Sequence, residues 1–192
     1  EGSERPGQTI QADLFTVAPY YHDGKNAVSE YSEKLTPELR AKLGYLYNFA
    51  AYMGYTEEEA EAQTGDYDET NPRQGICPDG FHIPTMAEWE AAVLYIASMN
   101  PGRAGAATHL KAKEGWFIDQ SYTDRTGIDT YGFCALPAGM ASLDEGGKTI
   151  VNPKIGKEGF FGTTDAQNNY GLNRSMEDAY DSMFGGGELK NM

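Results

Sequence analysis

The stretch Gly75-Ile76-Cys77-Pro78-Asp79-Gly80-Phe81-His82-Ile83-Pro84-Thr85-Met86-Ala87-Glu88-Trp89-Glu90 decides the fold. It reads as a tight turn that delivers the chain into a buried helix. Pro78 fixes φ, Asp79 bonds nearby backbone and Gly80 reaches positive φ, three separate reasons for one turn. Pro84 drives Ile83 out of the helical region. Thr85 is then placed as an N-cap, and Glu88 completes a capping box. From there Met86, Trp89, Val93 and Ile96 fall on one stripe at helical spacing. Burying such side chains stabilises by about 1.5–3 kcal/mol each, so Trp89, the largest, is expected to be among the most sensitive positions. Asn100-Pro101-Gly102 stops the helix.

Working outward, 192 residues suit one domain with a proper core. Twenty-three Gly and 9 Pro favour a loop-rich α+β fold over a helix bundle. The net charge of −14 argues against binding nucleic-acid phosphates or anionic membranes, and fits solubility outside the cell and cation binding. No apolar run is long enough to span a bilayer. The chain starts without Met or a signal peptide and has no Cys near its start, which points to a processed form or a fragment and places any anchor outside it. Cys77 and Cys134 either pair in an oxidising compartment or sit as two buried thiols; spacing along the chain does not decide between them.

Residues 1–35 read as an N-terminal extension or an edge strand with loop. Within them 9–17 is a strand candidate, and Tyr20-Tyr21-His22 lies in a loop as packed aromatics or an exposed patch. Thr36-Pro37-Glu38 starts a short helix to about Leu43. Tyr45 to Phe49 reads as a strand and Ala50 to Met53 as a helical turn. Residues 56–69 hold seven acids and no base. The plain reading is a solvated helix followed by a loop; the sharper one is a calcium site from Asp66, Asp68 and Glu69, although the EF-hand Gly and terminal Glu are out of register. Further on, 105–113 reads as a short helix returning Trp116 and Phe117 to the core. Phe133 to Met140 reads as a buried strand, 141–158 as an irregular hairpin or long loop, and Gly159 to Thr164 as another strand.

Five blocks together carry a resemblance: Gly44-Tyr45-Leu46-Tyr47-Asn48-Phe49-Ala50-Ala51, the quoted turn, His109-Leu110-Lys111 with Gly115-Trp116, Gly127 to Gly139, and Gly159-Phe160-Phe161-Gly162-Thr163-Thr164. In this order, over residues 44–180, they resemble the Fibrobacter succinogenes major paralogous domain family. The resemblance implies a C-type-lectin-like fold over 36–192, small mostly antiparallel sheets with two or more helices and long loops, in a secreted or outer-surface bacterial protein. It implies structural roles for Pro84, Thr85, Glu88, Trp89 and Trp116. It also implies a closing strand, reading like Val-Arg-Cys, that this sequence lacks; it is expected just beyond the Gly-rich ending at 185–187.

Pro84-Thr85 with Glu88-Trp89-Glu90 also resembles the motif of formylglycine-generating and other sulfatase-modifying enzymes. Their chemistry needs thiolates in a C-terminal segment, and no Cys follows Cys134. His22, His82 and His109 match no metal-ligand spacing; His82 reads as a hydrogen-bonded turn residue and His109 as packing. The expectation is therefore a non-catalytic recognition or adhesion module with no cofactor, calcium being the one left open. Its candidate loops are 118–130, 141–158 and 165–180. Asp165, Gln167, Asn168, Asn169, Tyr170, Asn173 and Arg174 form the richest set, since amides, carboxylates and a phenol suit a glycan or protein ligand. Two alternatives stand: a pilus or surface-assembly subunit completed by a partner strand, and a catalytic relative of the sulfatase-modifying enzymes.

Overall fold

Capping chemistry at Thr85 sets the long helix. In the computed structural model the Thr85 hydroxyl accepts from the Glu88 amide at 3.0 Å, and the Glu88 carboxylate accepts from the Thr85 amide at 2.8 Å. The same device recurs at Thr56 and Glu59, whose carboxylate accepts from the Thr56 amide at 2.8 Å. The structure describes residues 3–4, 20–22, 36–62, 71–101, 105–117, 126–143, 150–151, 154–168 and 170–189. The 9–17 strand, the acids Asp66, Asp68 and Glu69, Asn169 and parts of the 118–130 and 141–158 loops lie outside these residues.

In chain order the elements are β1 (Ser3–Glu4), β2 (Tyr20–His22), α1 (Pro37–Lys42), β3 (Leu46–Tyr47), α2 (Phe49–Met53), α3 (Glu57–Ala62), α4 (Met86–Met99), α5 (Ala106–Leu110), β4 (Ser142–Leu143), β5 (Ile150–Val151), β6 (Glu158–Gln167), β7 (Tyr170–Glu177) and β8 (Met183–Leu189). The fold is α+β. Strand β2 lies between β1, to which it is parallel, and β3, to which it is antiparallel. Strands β4 and β5 form a two-stranded antiparallel ladder. The largest sheet is the antiparallel β6-β7-β8. No helix among the described residues is long and apolar enough to cross a membrane.

Two apolar clusters hold the elements together. Trp89 and Ile96 of α4 pack with Leu110, Trp116, Ala135 and Met176. Phe49 and Met53 of α2 pack with Tyr55, Ala60, Ile83 and Ala166. A bulge in β6 between Gly162 and Ala166 links the clusters by turning Thr163, Thr164, Asp165 and Ala166 inward together. There the Thr164 amide donates to Pro84 O at 3.0 Å, and Asp165 Oδ2 accepts from the Met86 amide at 2.6 Å at the mouth of α4. A carboxylate at that end also suits the helix dipole.

Several sequence expectations change. Asn48 N-caps α2 through a 3.0 Å bond from the Ala51 amide, so the strand expected over 45–49 stops at Tyr47 and Phe49 already belongs to a helix. Tyr20–His22, read as loop, is a strand because β3 supplies it with a ladder. Phe133 to Met140 is not a strand. Asp129 Oδ1 captures the Cys134 amide at 2.8 Å and Cys134 adopts a left-handed φ of 54°, leaving one parallel bridge between Lys111 and Ala135. The stretch from Asp165 to Tyr180, read as a surface loop, is mostly strand, and the Gly-rich segment is itself a strand, paired with β7 from Met183 to Leu189. Cys77 and Cys134 are both free thiols, Cys77 half-buried and Cys134 exposed.

Candidate functional site

A cleft of about 580 Å³ opens where the signature turn, α2 and the β6-β7 hairpin meet. Its making starts with two glycines. Gly162 and Gly171 leave the hairpin backbone bare, and the rings of α2 lie directly on it. A Cβ at Gly162 would fall 2.5 Å from the Tyr52 ring, and one at Gly171 2.5 Å from the Phe49 ring. Tyr52 is fixed there by a 3.0 Å hydrogen bond from its hydroxyl to Thr163 O, and Phe49 meets its ring edge-on at 5.6 Å.

The opposite wall is a triangle of aromatic rings. Trp89 lies 5.7 Å from both Phe133 and Phe161, which are 5.6 Å apart, all edge-on or tilted. Phe133 is nevertheless half-exposed, as are Tyr45 and Tyr47, a T-shaped pair 6.5 Å apart that also lines the cleft. The Trp89 indole nitrogen is buried without a hydrogen-bond partner among the described residues, an uncommon condition for a polar atom. Asn173, from β7, adds an amide to the lining.

Six of the seven residues expected to form a binding set are described, and they part company here. Asp165 and Arg174 serve the scaffold. The first holds the α4 N-terminus; the second turns inward and donates to Glu90 Oε2 at 2.7 Å. Gln167 and Asn168 are exposed at the hairpin tip, Asn168 with a left-handed φ of 54°, and Tyr170 is half-exposed beside them. Of the six that lie among the described residues, Asn173 alone lines the cleft. Sequence reasoning passed over Tyr45, Tyr47, Phe133 and Phe161 as site residues. The available signal was aromatics set next to glycines in three of the motif blocks, at Gly44 to Phe49, Gly132-Phe133 and Gly159 to Gly162.

The signature residues themselves are occupied by structure. His82 Nε2 meets Glu88 Oε1 at 2.8 Å. The Trp116 indole donates to Ala135 O at 3.0 Å. His109 is buried with Nδ1 at 2.8 Å from the Thr130 hydroxyl. Lys111 has no exposed surface. Its ammonium donates to the carbonyls of Glu177, Asp178 and Tyr180 and lies 4.9 Å from the Trp116 ring centroid. Among the described residues no group of three or more His, Cys, Asp or Glu side chains is arranged to hold a metal ion.

No curated protein and no solved structure matches the chain. The family model of the Fibrobacter succinogenes major domain matches residues 6–185, taking in all five motif blocks. The chain belongs to the Fibrobacter succinogenes major domain family.

Proposed function

We propose that this chain is a non-catalytic recognition module with a C-type-lectin-like fold, working at or outside the bacterial surface and binding a neutral glycan in the aromatic cleft. One observation carries the reading: the signature side chains are spent on capping, packing and carbonyl binding, whereas the cleft presents half-exposed aromatic rings that the fold leaves partly uncovered. Pockets of this kind, apolar walls with a few polar groups, are where small ligands bind. Ring faces suit the C–H faces of a pyranose, and the Asn173 amide suits its hydroxyls. The charge of −14 disfavours acidic polysaccharides.

A panel of neutral oligosaccharides, read by the change in tryptophan emission and by calorimetry, tests this. Binding should fall at least about tenfold in Tyr47→Ala and in Phe133→Ala, since both rings supply contact area, with melting temperatures close to wild type because both are half-exposed. Binding that survives both changes but disappears in a Gln167→Ala, Asn168→Ala, Tyr170→Ala triple variant would move the site to the hairpin tip. A cleft that takes only peptides would replace the glycan.

A further inference from the structure

Asn173 stands between two glycines. Its cross-strand partners in the β6-β7-β8 sheet are Gly162 on one side and Gly186 on the other, and cross-strand partners share a face. Neither neighbouring strand therefore sets a side chain directly beside its amide. On the β6 side the Tyr52 ring takes that place, 2.5 Å from where a Gly162 Cβ would be. The β8 side is open. A Cβ at Gly186 would lie 3.2 Å from Asn173 Oδ1; apart from chain neighbours, no other described residue comes within 4 Å of it, and Gly186 is exposed. Glycine inside a strand often marks the close approach of a ligand. Asn173 itself is 8% exposed, lines the cleft and makes no side-chain hydrogen bond among the described residues. Buried polar groups are nearly always paired, so its donors and its acceptor are unmet demands at one place.

We propose that Asn173 and the bare backbone at Gly186 form a subsite for an acetamido group, so that the ligand of the cleft is an N-acetylated sugar. This deepens the glycan reading and rests on it. An asparagine amide offers two N–H donors and a carbonyl acceptor. An acetamido group answers both kinds at once: its N–H donates to the Asn173 oxygen and its carbonyl accepts from the Asn173 nitrogen. Its methyl wants apolar or bare surroundings, and the sheet supplies them in the Tyr52 ring and the glycine backbone. A plain hexose carries a hydroxyl in that position, which meets the amide through one atom and brings no methyl. No charged side chain lines the cleft, so an amino or a carboxylate substituent would enter without a counter-ion, at a desolvation cost that a neutral acetamido group avoids. Glycine at 186 has its reason here too, since a side chain there would press on the oxygen that the ligand must reach.

Calorimetry on the full chain with chitotetraose and cellotetraose, which share length and linkage and differ in the acetamido groups, tests the subsite. Chitotetraose should bind at least about tenfold tighter, because a site built around a polar group rejects a ligand that leaves it unpaired. Asn173→Leu keeps the volume and should bring the two sugars within about threefold of each other. Gly186→Ala should weaken chitotetraose at least about tenfold, with a melting temperature no lower than wild type, since alanine suits a strand interior better than glycine. In wild-type protein, NMR saturation transfer should be strongest at the acetyl methyl protons, a readout that needs no variant to fold. Equal binding of the two sugars, or a preference that survives Asn173→Leu, overturns the subsite and leaves the glycan reading standing. Failure of chitotetraose while another neutral oligosaccharide binds does the same. Failure of every neutral oligosaccharide overturns both.

Discussion

Lys111 shows how little of a motif residue's task is visible in its type. A lysine following His-Leu reads as a surface position, yet this one is fully buried, with its ammonium among three backbone carbonyls and beside the Trp116 ring. Lys111→Met keeps the apolar stem and leaves those carbonyls unanswered. Each buried unsatisfied group costs about 1–3 kcal/mol, so a loss of about 3 kcal/mol or more is expected in urea unfolding. The two thiols should also separate by reactivity. Burial pushes the Cys77 thiol up, and its side chain is half-buried against the α2 cluster, whereas Cys134 is exposed. A limiting dose of iodoacetamide should therefore mark Cys134 first, as peptide mapping by mass spectrometry would show; equal labelling would contradict the placement.

Among the elements, α4 was the most legible and its surroundings the least. Its cap, its stripe and its stop at Asn100 follow from local chemistry, and the structure has all three. What precedes its N-terminus does not follow: the sequence holds no sign that Asp165, 79 positions away, accepts from the Met86 amide. The same long-range pairing hid β8. Three glycines argue against a strand locally, and only the ladder offered by β7 overrides that preference. Thr85→Ala should cost about 1 kcal/mol, the usual loss for an N-cap, visible in the midpoint of chemical unfolding. The cap also has a pH signature. Burial pushes the Glu88 carboxyl up, but the Thr85 amide and hydroxyl together with His82 outweigh it and hold the carboxyl below its ordinary value. A carboxyl held low in the folded state adds stability above its unfolded-state value, and that stability is lost as pH falls through the lowered value. Wild-type protein should thus weaken on acidification below the ordinary carboxylate range, and Glu88→Gln should weaken less over the same window.

At the scale of the whole molecule, composition and motif order were enough for the α+β class and the family, because both rest on features summed along the chain. The cleft was not legible. It needs Phe133 and Phe161 brought to Trp89, and α2 laid on two glycines of the hairpin, and no local pattern states either meeting. The net charge of −14 acts at this scale too. Self-repulsion opposes the compact state, so the melting temperature should rise on going from low to moderate sodium chloride, as differential scanning calorimetry would record. The carbonyl cage around Lys111 has one more consequence. It is built from backbone oxygens of residues 177, 178 and 180, and every amino acid carries that oxygen, so what the lysine reads there is the course of the main chain. One buried side chain thus dictates the path of the corner between β7 and β8 by gathering its main chain, in the way a bound cation gathers a loop.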